Sequence, residues 1–293
     1  MSKVVNDDYP GQAPISDAAL KQMVLDNHVN TGTPEQFTNG ESNNVPTEVI
    51  QLPSKGRFYP EGHPLRSGTI EMKYMTAKEE DILASQNLIK QGVVIDKLLQ
   101  SLIVTRINYN DLLTVDKNAV FIAARILAYG PEYTVEIACP NCGEKSKHTI
   151  DLQQFSEKAI DWSNFVEGEI NHKFILPVSK NELTLKMLTH GDERKIEEAA
   201  KVYKKAAKTL GIDRELSTRL KQVIVAVDGN EDRAHINKFV DNMFSRDSLA
   251  LRNHLKQVTP DIDTTFNYEC PACGHEMPNM QLPIDVGFFW PGV

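Results

Sequence analysis

Two short stretches, Cys139-Pro140-Asn141-Cys142-Gly143 and Cys270-Pro271-Ala272-Cys273-Gly274, contain all four cysteines of the chain. In each stretch two residues separate the sulfur atoms and a glycine follows directly. A C-x-x-C turn presents two thiolates to one metal ion, and the glycine lets the backbone fold under the metal without a Cβ clash. One such turn supplies half of a tetrahedral site. The two together predict one structural zinc ion, bound by Cys139, Cys142, Cys270 and Cys273.

Other uses of the cysteines stay open at this point. Each pair could form its own disulfide, and redox C-x-x-C motifs usually open a helix in a thioredoxin-like unit. Here strand-like sequence leads into each motif, at Tyr133 to Ala138 and at Phe266 to Glu269, which is typical of a zinc ribbon. Cys142 and Cys270 are 128 positions apart, so the ribbon is predicted to be split by an inserted segment.

The spacing of apolar residues predicts an α+β fold, with mixed helices and short antiparallel strands around the split four-cysteine zinc ribbon. A capping-box sequence, Thr76-Ala77-Lys78-Glu79, predicts a helix start. The run from Ala119 to Tyr129 is nearly all apolar apart from Arg125. Burial with a carboxylate partner is expected for Arg125, and contact with a partner protein is the alternative. The predicted organisation begins with an extended arm (1–47), which has a short helix at Ala18 to Asn30. An N-terminal α+β region (48–138) and the split ribbon (139–150 with 261–284) follow. An inserted, mainly helical lobe (151–260) interrupts the ribbon, and an aromatic tail (285–293) ends the chain.

The charge and the apolar content of the chain argue against several classes of function. The formal net charge is −8 and the sequence pI is about 5.5, which argues against a broadly basic nucleic-acid-binding surface. No apolar run approaches the ~20 residues that a membrane-spanning helix needs, and the first residues lack the apolar core of a secretion signal. Four cysteines in two metal-binding motifs are expected in a reducing cytosol.

The sequence contains no recognisable catalytic motif. P-loop, G-x-S-x-G, H-E-x-x-H, EF-hand and dinucleotide-binding patterns are absent. A closed four-cysteine site has no open coordination position and is therefore structural rather than catalytic. His148 and His275 lie near the motifs and are interpreted as neighbours of the metal, not ligands. We expect no enzymatic activity and no small-molecule substrate.

Two stretches are candidates for contact with partner proteins. One is the turn-rich loop with Lys55, Arg57, Phe58 and Tyr59, and the other is the terminal run Phe288, Phe289 and Trp290. Large aromatic side chains are enriched at the centres of protein interfaces. The terminal aromatic residues could equally fold back on the chain's own core, and the sequence leaves both possibilities open.

The order of these motifs resembles that of the baseplate hub and hub-assembly proteins of T4-like contractile-tailed phages. The stretches that carry the resemblance are Leu52 to Tyr59, Met75 to Leu83, Arg125 to Gly130, the two C-x-x-C-G motifs and Phe288 to Pro291. They span about residues 46–291.

The resemblance implies a non-enzymatic structural or assembly protein of the tail baseplate, near the central hub, that acts through contacts with other baseplate or hub proteins. Its location would be the host cytoplasm during assembly, or the tail baseplate of the virion. The alternative function is a zinc-ribbon accessory protein that binds nucleic acid. Acidic net charge and the scarcity of basic and aromatic residues near the cysteines count against that alternative.

Overall fold

In the computed structural model, the described part of the chain comprises residues 45–207, 215–283 and 286–289. Almost all of the predicted N-terminal arm, including its short helix at 18–30, lies outside these residues. Trp290 also lies outside them. The domain boundaries predicted from the sequence stay a prediction.

Helices and short antiparallel strands alternate along the chain, which confirms the predicted α+β class. The helices are α1 (Ala77–Ala84), α2 (Gln86–Gln91), α3 (Val94–Leu102), α4 (Thr114–Tyr129), α5 (His190–Ala207), α6 (Glu215–Val223), α7 (Arg233–Asp241) and α8 (Ser245–Val258). The strands are β1 (Thr47–Gln51), β2 (Thr69–Lys73), β3 (Glu132–Ala138), β4 (Lys145–Asp151), β5 (Ser156–Glu157), β6 (Asn171–Ile175), β7 (Glu182–Lys186), β8 (Ile224–Val227), β9 (Ile262–Asp263), β10 (Thr265–Glu269) and β11 (Glu276–Gln281). Every strand pairing is antiparallel.

The first part of the fold is a hairpin packed on helices. Strands β1 and β2 pair from Thr47↔Lys73 to Gln51↔Thr69. The loop between them is long and folded, and it places Leu52, Phe58 and Leu65 in the core. Helix α3 buries its apolar face, and the nearly apolar α4 is buried along most of its length. These elements contribute most of the larger of the two hydrophobic cores seen in the described residues, and both cysteine hairpins and the terminal phenylalanines complete it.

Arg125 on α4 is buried, as expected, but the prediction that a carboxylate pairs with it is wrong. The guanidinium group donates to the carbonyl oxygens of Gly130 (3.0 Å) and Glu132 (3.1 Å). It also lies over the rings of Tyr129, Tyr133 and Phe288. The reason is the turn after α4. This turn directs the carbonyl oxygens of Gly130 and Glu132 at the guanidinium group, and these oxygens replace the expected carboxylate.

The second hydrophobic core lies within the segment between the two cysteine motifs. Strands β6, β7 and β8 form a three-stranded sheet in that order. This core consists of residues of the sheet, of α6, α7 and α8, and of Leu176 directly after β6: Leu176, Leu183, Leu185, Leu220, Val223, Ile224, Val227, Ile236, Val240 and Leu251. Among the described residues, no helix combines the length and the apolar character required to cross a bilayer.

Candidate functional site

The four cysteine thiols converge on one point. Their Sγ atoms all lie within 4.8 Å of one another. The Sγ–Sγ distance is 3.7 Å both for Cys139 and Cys273 and for Cys142 and Cys270. A tetrahedral zinc site with Zn–S bonds of about 2.3 Å has sulfur atoms about 3.8 Å apart. The arrangement is therefore compatible with a four-thiolate zinc site, and all four cysteines are free rather than joined in disulfides.

The two cysteine turns have the same backbone geometry. The amide of Cys139 donates to the carbonyl oxygen of Glu144, and the amide of Gly143 donates back to Cys139. The second turn repeats this pattern with Cys270, Gly274 and His275. Both glycines have positive φ, 75° and 67°, a conformation that costs glycine little. Each turn joins two strands of a hairpin, β3 to β4 and β10 to β11.

The electrostatics of the thiols favour a bound cation. Hydrogen bonds from Asn141 and from the amide of His275 lower the pKa of Cys273 to about 6. The amide of Glu144 lowers the pKa of Cys142, but the neighbouring thiols outweigh it and raise that pKa to about 12. If all four thiols were ionised at this separation, the thiolates would repel one another unless a cation lay between them. One thiol in each pair, Cys142 and Cys273, is exposed.

The two hairpins also pack against each other beside the cysteines, a feature that the sequence interpretation missed. The ring of His148 on β4 stacks on Phe266 of β10 with 5.6 Å between centroids. Ser146 and Tyr268 share a short hydrogen bond. His148 is thus a packing residue, and His275 is an exposed residue in its turn. Neither belongs to the group of possible metal ligands. Side chains alternate between the two faces of a strand, so the sequence could have predicted that Ser146 and His148 lie on one face of their hairpin.

The structure separates the residues of the first candidate contact loop into two kinds. Phe58 and Tyr59 point into the core and are buried. Lys55 is exposed, and it pairs with Glu157. Arg57 is half-buried, with its guanidinium group 5.2 Å from the centre of the Trp162 ring. Of these four candidate contact residues, only Lys55 and part of Arg57 are therefore accessible at the surface.

A buried polar cluster behind this loop was not predicted from the sequence. Asp116 at the start of α4 is fully buried. Its Oδ1 accepts from the amide of Ser54 (3.0 Å), and its Oδ2 accepts from the hydroxyls of Ser54 and Tyr59 (both 2.8 Å). Burial raises the pKa of Asp116 to about 6, against the effect of these hydrogen bonds. No local sequence pattern indicates this cluster, because the partners of Asp116 are more than 50 positions away.

The terminal aromatic residues that the structure describes fold back on the core. Phe288 and Phe289 lie in a short 3-10 turn, Val286–Phe289, and both are fully buried. Their rings pack on Phe121 of α4 with centroid distances of 5.1 and 5.0 Å. Phe288 also contacts Tyr133 on β3. These two phenylalanines thus complete the chain's own core.

Comparison with known proteins identifies the family of this chain. No curated protein matches the chain, and no solved structure matches it. A family model described as "T4 bacteriophage base plate protein" matches residues 45–290. The match covers most of the chain and includes the buried loop after β1, both cysteine turns and the terminal phenylalanines. The chain belongs to this family of T4-type phage base plate proteins.

Proposed function

We propose that this protein is a structural or assembly component of the central hub region of a contractile-tail baseplate, and that it acts through protein–protein contacts. The observation that carries the proposal is the family match over residues 45–290. A baseplate protein of this family belongs to the phage tail. Its position at the hub, its transient presence in the host cytoplasm during assembly and its lack of enzymatic activity are parts of the proposal.

The four-thiol cluster gives the protein a structural metal, which we propose to be zinc. The ligands are Cys139, Cys142, Cys270 and Cys273, because four sulfur ligands at tetrahedral separations suit zinc. Zinc at this point fixes two hairpins that are 128 positions apart in the chain. It would thereby hold both ends of the segment that carries the second core, the inserted lobe predicted at 151–260.

The proposed contact surface is the exposed side of the loop after β1. Lys55 and Arg57 offer two cations in a chain of formal net charge −8, and both are held in place by Glu157 and Trp162. Phe58 and Tyr59 support this surface from below, within the core. Trp290, which lies outside the described residues, stays a proposed contact.

The test is to express the protein together with the other tail proteins of its phage, purify it, and measure metal content and co-purifying proteins on the same sample. We expect one zinc per chain and retention of baseplate proteins. Lys55→Glu should reduce that retention, whereas Lys238→Glu, at an exposed position on α7, should not. Absence of tail proteins from the purified wild-type sample, with retention of nucleic acid at low salt, would contradict the proposal and favour the nucleic-acid-binding alternative.

A further inference from the structure

Two histidine side chains meet where the two hydrophobic cores adjoin. His172 on β6 and His254 on α8 have ring centroids 5.4 Å apart, and we call them the histidine pair. Phe165, which packs on the first core, contacts the ring of His172 at 5.1 Å. Phe174, which packs on the second core, stacks on His254 at 4.1 Å. The pair therefore joins aromatic side chains of both cores in one continuous contact.

Three of the four ring nitrogens of the pair are buried without hydrogen-bond partners among the described residues. This is true of Nδ1 and Nε2 of His172 and of Nε2 of His254. A neutral imidazole carries one N–H donor and one acceptor nitrogen, and the great majority of buried polar groups have a partner. The two side chains thus pack as aromatic rings, and the site suits them only while they are uncharged.

Within the part of the chain that the structure describes, no nearby group compensates a positive charge on the pair. His172 is 4% exposed and lies opposite the apolar Leu185 of β7. Burial, followed by the effect of His254, lowers the pKa of His172 to about 4, and burial also lowers the pKa of His254. No carboxylate contributes to either shift.

The charged groups on the elements packed against the pair have other partners or face solvent. Two of them form ion pairs, Lys173 with Glu182 and Glu167 with Arg66. Asp247 accepts from the amides of Val178 and Ser179, and Arg252 donates to the carbonyl oxygen of Ser248. Glu169 and Lys256 are exposed.

We propose that the histidine pair is an acid-sensitive contact that loosens the second core from the first when either ring becomes protonated. An imidazolium ion at His172 would be buried and without a hydrogen-bond partner among the described residues, so it has to reach solvent. His172 can do so only if β6 moves away from α8 and from Phe165. The cysteine cluster is not part of this contact, and the proposal is independent of the proposed baseplate function.

Hydrogen exchange measured by mass spectrometry tests the proposal on the full-length protein. Exchange of the peptides that contain β6 and α8 is compared at pH 7.5 and pH 5, after correction for the intrinsic dependence of exchange on pH. If His172 titrates near 6.5 when exposed and near 4 when packed, the equilibrium for opening should rise roughly thirtyfold between these pH values. His172→Phe should abolish most of the rise, because phenylalanine suits the aromatic site and cannot be charged.

The matched control is His235→Gln on the exposed side of α7, which should retain the full rise. Peptides from β10 and β11 report separately on acid-induced loss of the metal site. An equal rise in the wild type and in His172→Phe would overturn the proposal.

If the phenylalanine variant does not fold, NMR titration of ¹⁵N-histidine-labelled wild-type protein decides instead. A ring of His172 that titrates near 6.5 in the folded state, with no change in β6, would also overturn the proposal.

Discussion

The hydroxyl group of Tyr59 links two distant segments of the first core. It donates to Oδ2 of Asp116 at 2.8 Å and accepts from the amide of Leu113 at 3.1 Å. Burial, followed by the charge of Asp116, raises the pKa of Tyr59, so the hydroxyl stays protonated and can act as this donor. Through it, the loop after β1 is fixed to the start of α4, which in turn leads into the first cysteine hairpin.

Removal of this hydroxyl should weaken the fold. Tyr59→Phe leaves the amide of Leu113 without its acceptor and Asp116 with one donor fewer, both in the interior. A buried unsatisfied group costs about 1–3 kcal/mol, and we expect a loss of this size in the free energy of unfolding measured with urea. Tyr74→Phe is the control, because Tyr74 bonds the exposed Glu48. An equal loss in both variants would contradict the role given to the buried hydroxyl.

The same loop contains a glycine that no other residue should replace. Gly56 has a φ of 74°, and a Cβ atom there would lie 2.3 Å from the carbonyl oxygen of Arg66. Gly62 has a similar φ of 81°, but a Cβ atom there has no neighbour within 4 Å. Both alanine variants carry the penalty for a left-handed backbone, about 1–2 kcal/mol. Gly56→Ala carries the steric clash in addition, so it should lower the melting temperature far more than Gly62→Ala.

The stability of the protein in acid should depend on Glu79. Its buried carboxylate accepts from Lys73 (2.7 Å), Thr76 and Ser101 (2.7 Å). Burial alone would raise the pKa of Glu79, but these hydrogen bonds outweigh it and lower the pKa to about 2. A pKa below that of the unfolded chain means that the stabilisation is complete above about pH 4.5 and is lost as the pH falls towards 2.

The size of this effect is about 3 kcal/mol, from the difference between the two pKa values. Glu79→Gln should remove this part of the acid dependence and should be less stable than the wild type at pH 7. Denaturant unfolding at a series of pH values measures both. Glu61→Gln, at an exposed position in the loop after β1, should leave the profile unchanged. A wild-type profile for Glu79→Gln would show that the carboxylate contributes nothing.

The sequence was sufficient to predict the cluster of four cysteines, because the information in each motif is local. Each C-x-x-C-G motif fixes its own turn, and only the meeting of the two turns had to be assumed. The Asp116 cluster could not be predicted in this way. A serine, a tyrosine and an aspartate far apart in the chain have no shared local pattern, so their contact follows only from the packing of the loop on α4.

Arg125 shows a second limit of sequence reasoning. Its burial followed from the apolar residues around it, and a carboxylate was the expected partner for a buried cation. The backbone after Gly130 provided two carbonyl oxygens instead. The sequence shows which side chains are available as partners. The direction of the backbone carbonyl groups in a turn depends on its conformation and cannot be predicted from the side chains alone.

The cysteine cluster predicts a large effect of metal removal. Cys142→Ser should lose most of the bound zinc and destabilise both cysteine hairpins, because three thiolates hold zinc less tightly than four. Structural zinc contributes on the order of 10 kcal/mol to the folding of small zinc-finger peptides. Metal analysis and calorimetry with and without a chelator measure the effect. Ala272→Ser changes an exposed residue between two ligands without removing either, and it should retain the metal. A Cys142→Ser protein with full zinc content and an unchanged melting temperature would rule out this centre.

The buried phenylalanines near the end of the chain predict that this end stabilises the fold itself. Phe288 is fully buried between Phe121, Tyr133 and Phe289, and the guanidinium group of Arg125 lies 5.9 Å from its ring centre. Phe288→Ala should therefore cost about 3–5 kcal/mol of folding free energy, as large-to-small changes in cores do. Phe244→Ala removes the same atoms from a side chain that is 59% exposed, and it should cost far less. If Phe288→Ala instead left the unfolding free energy unchanged and only reduced binding to tail proteins, the side chain would act as a partner contact rather than as part of the core.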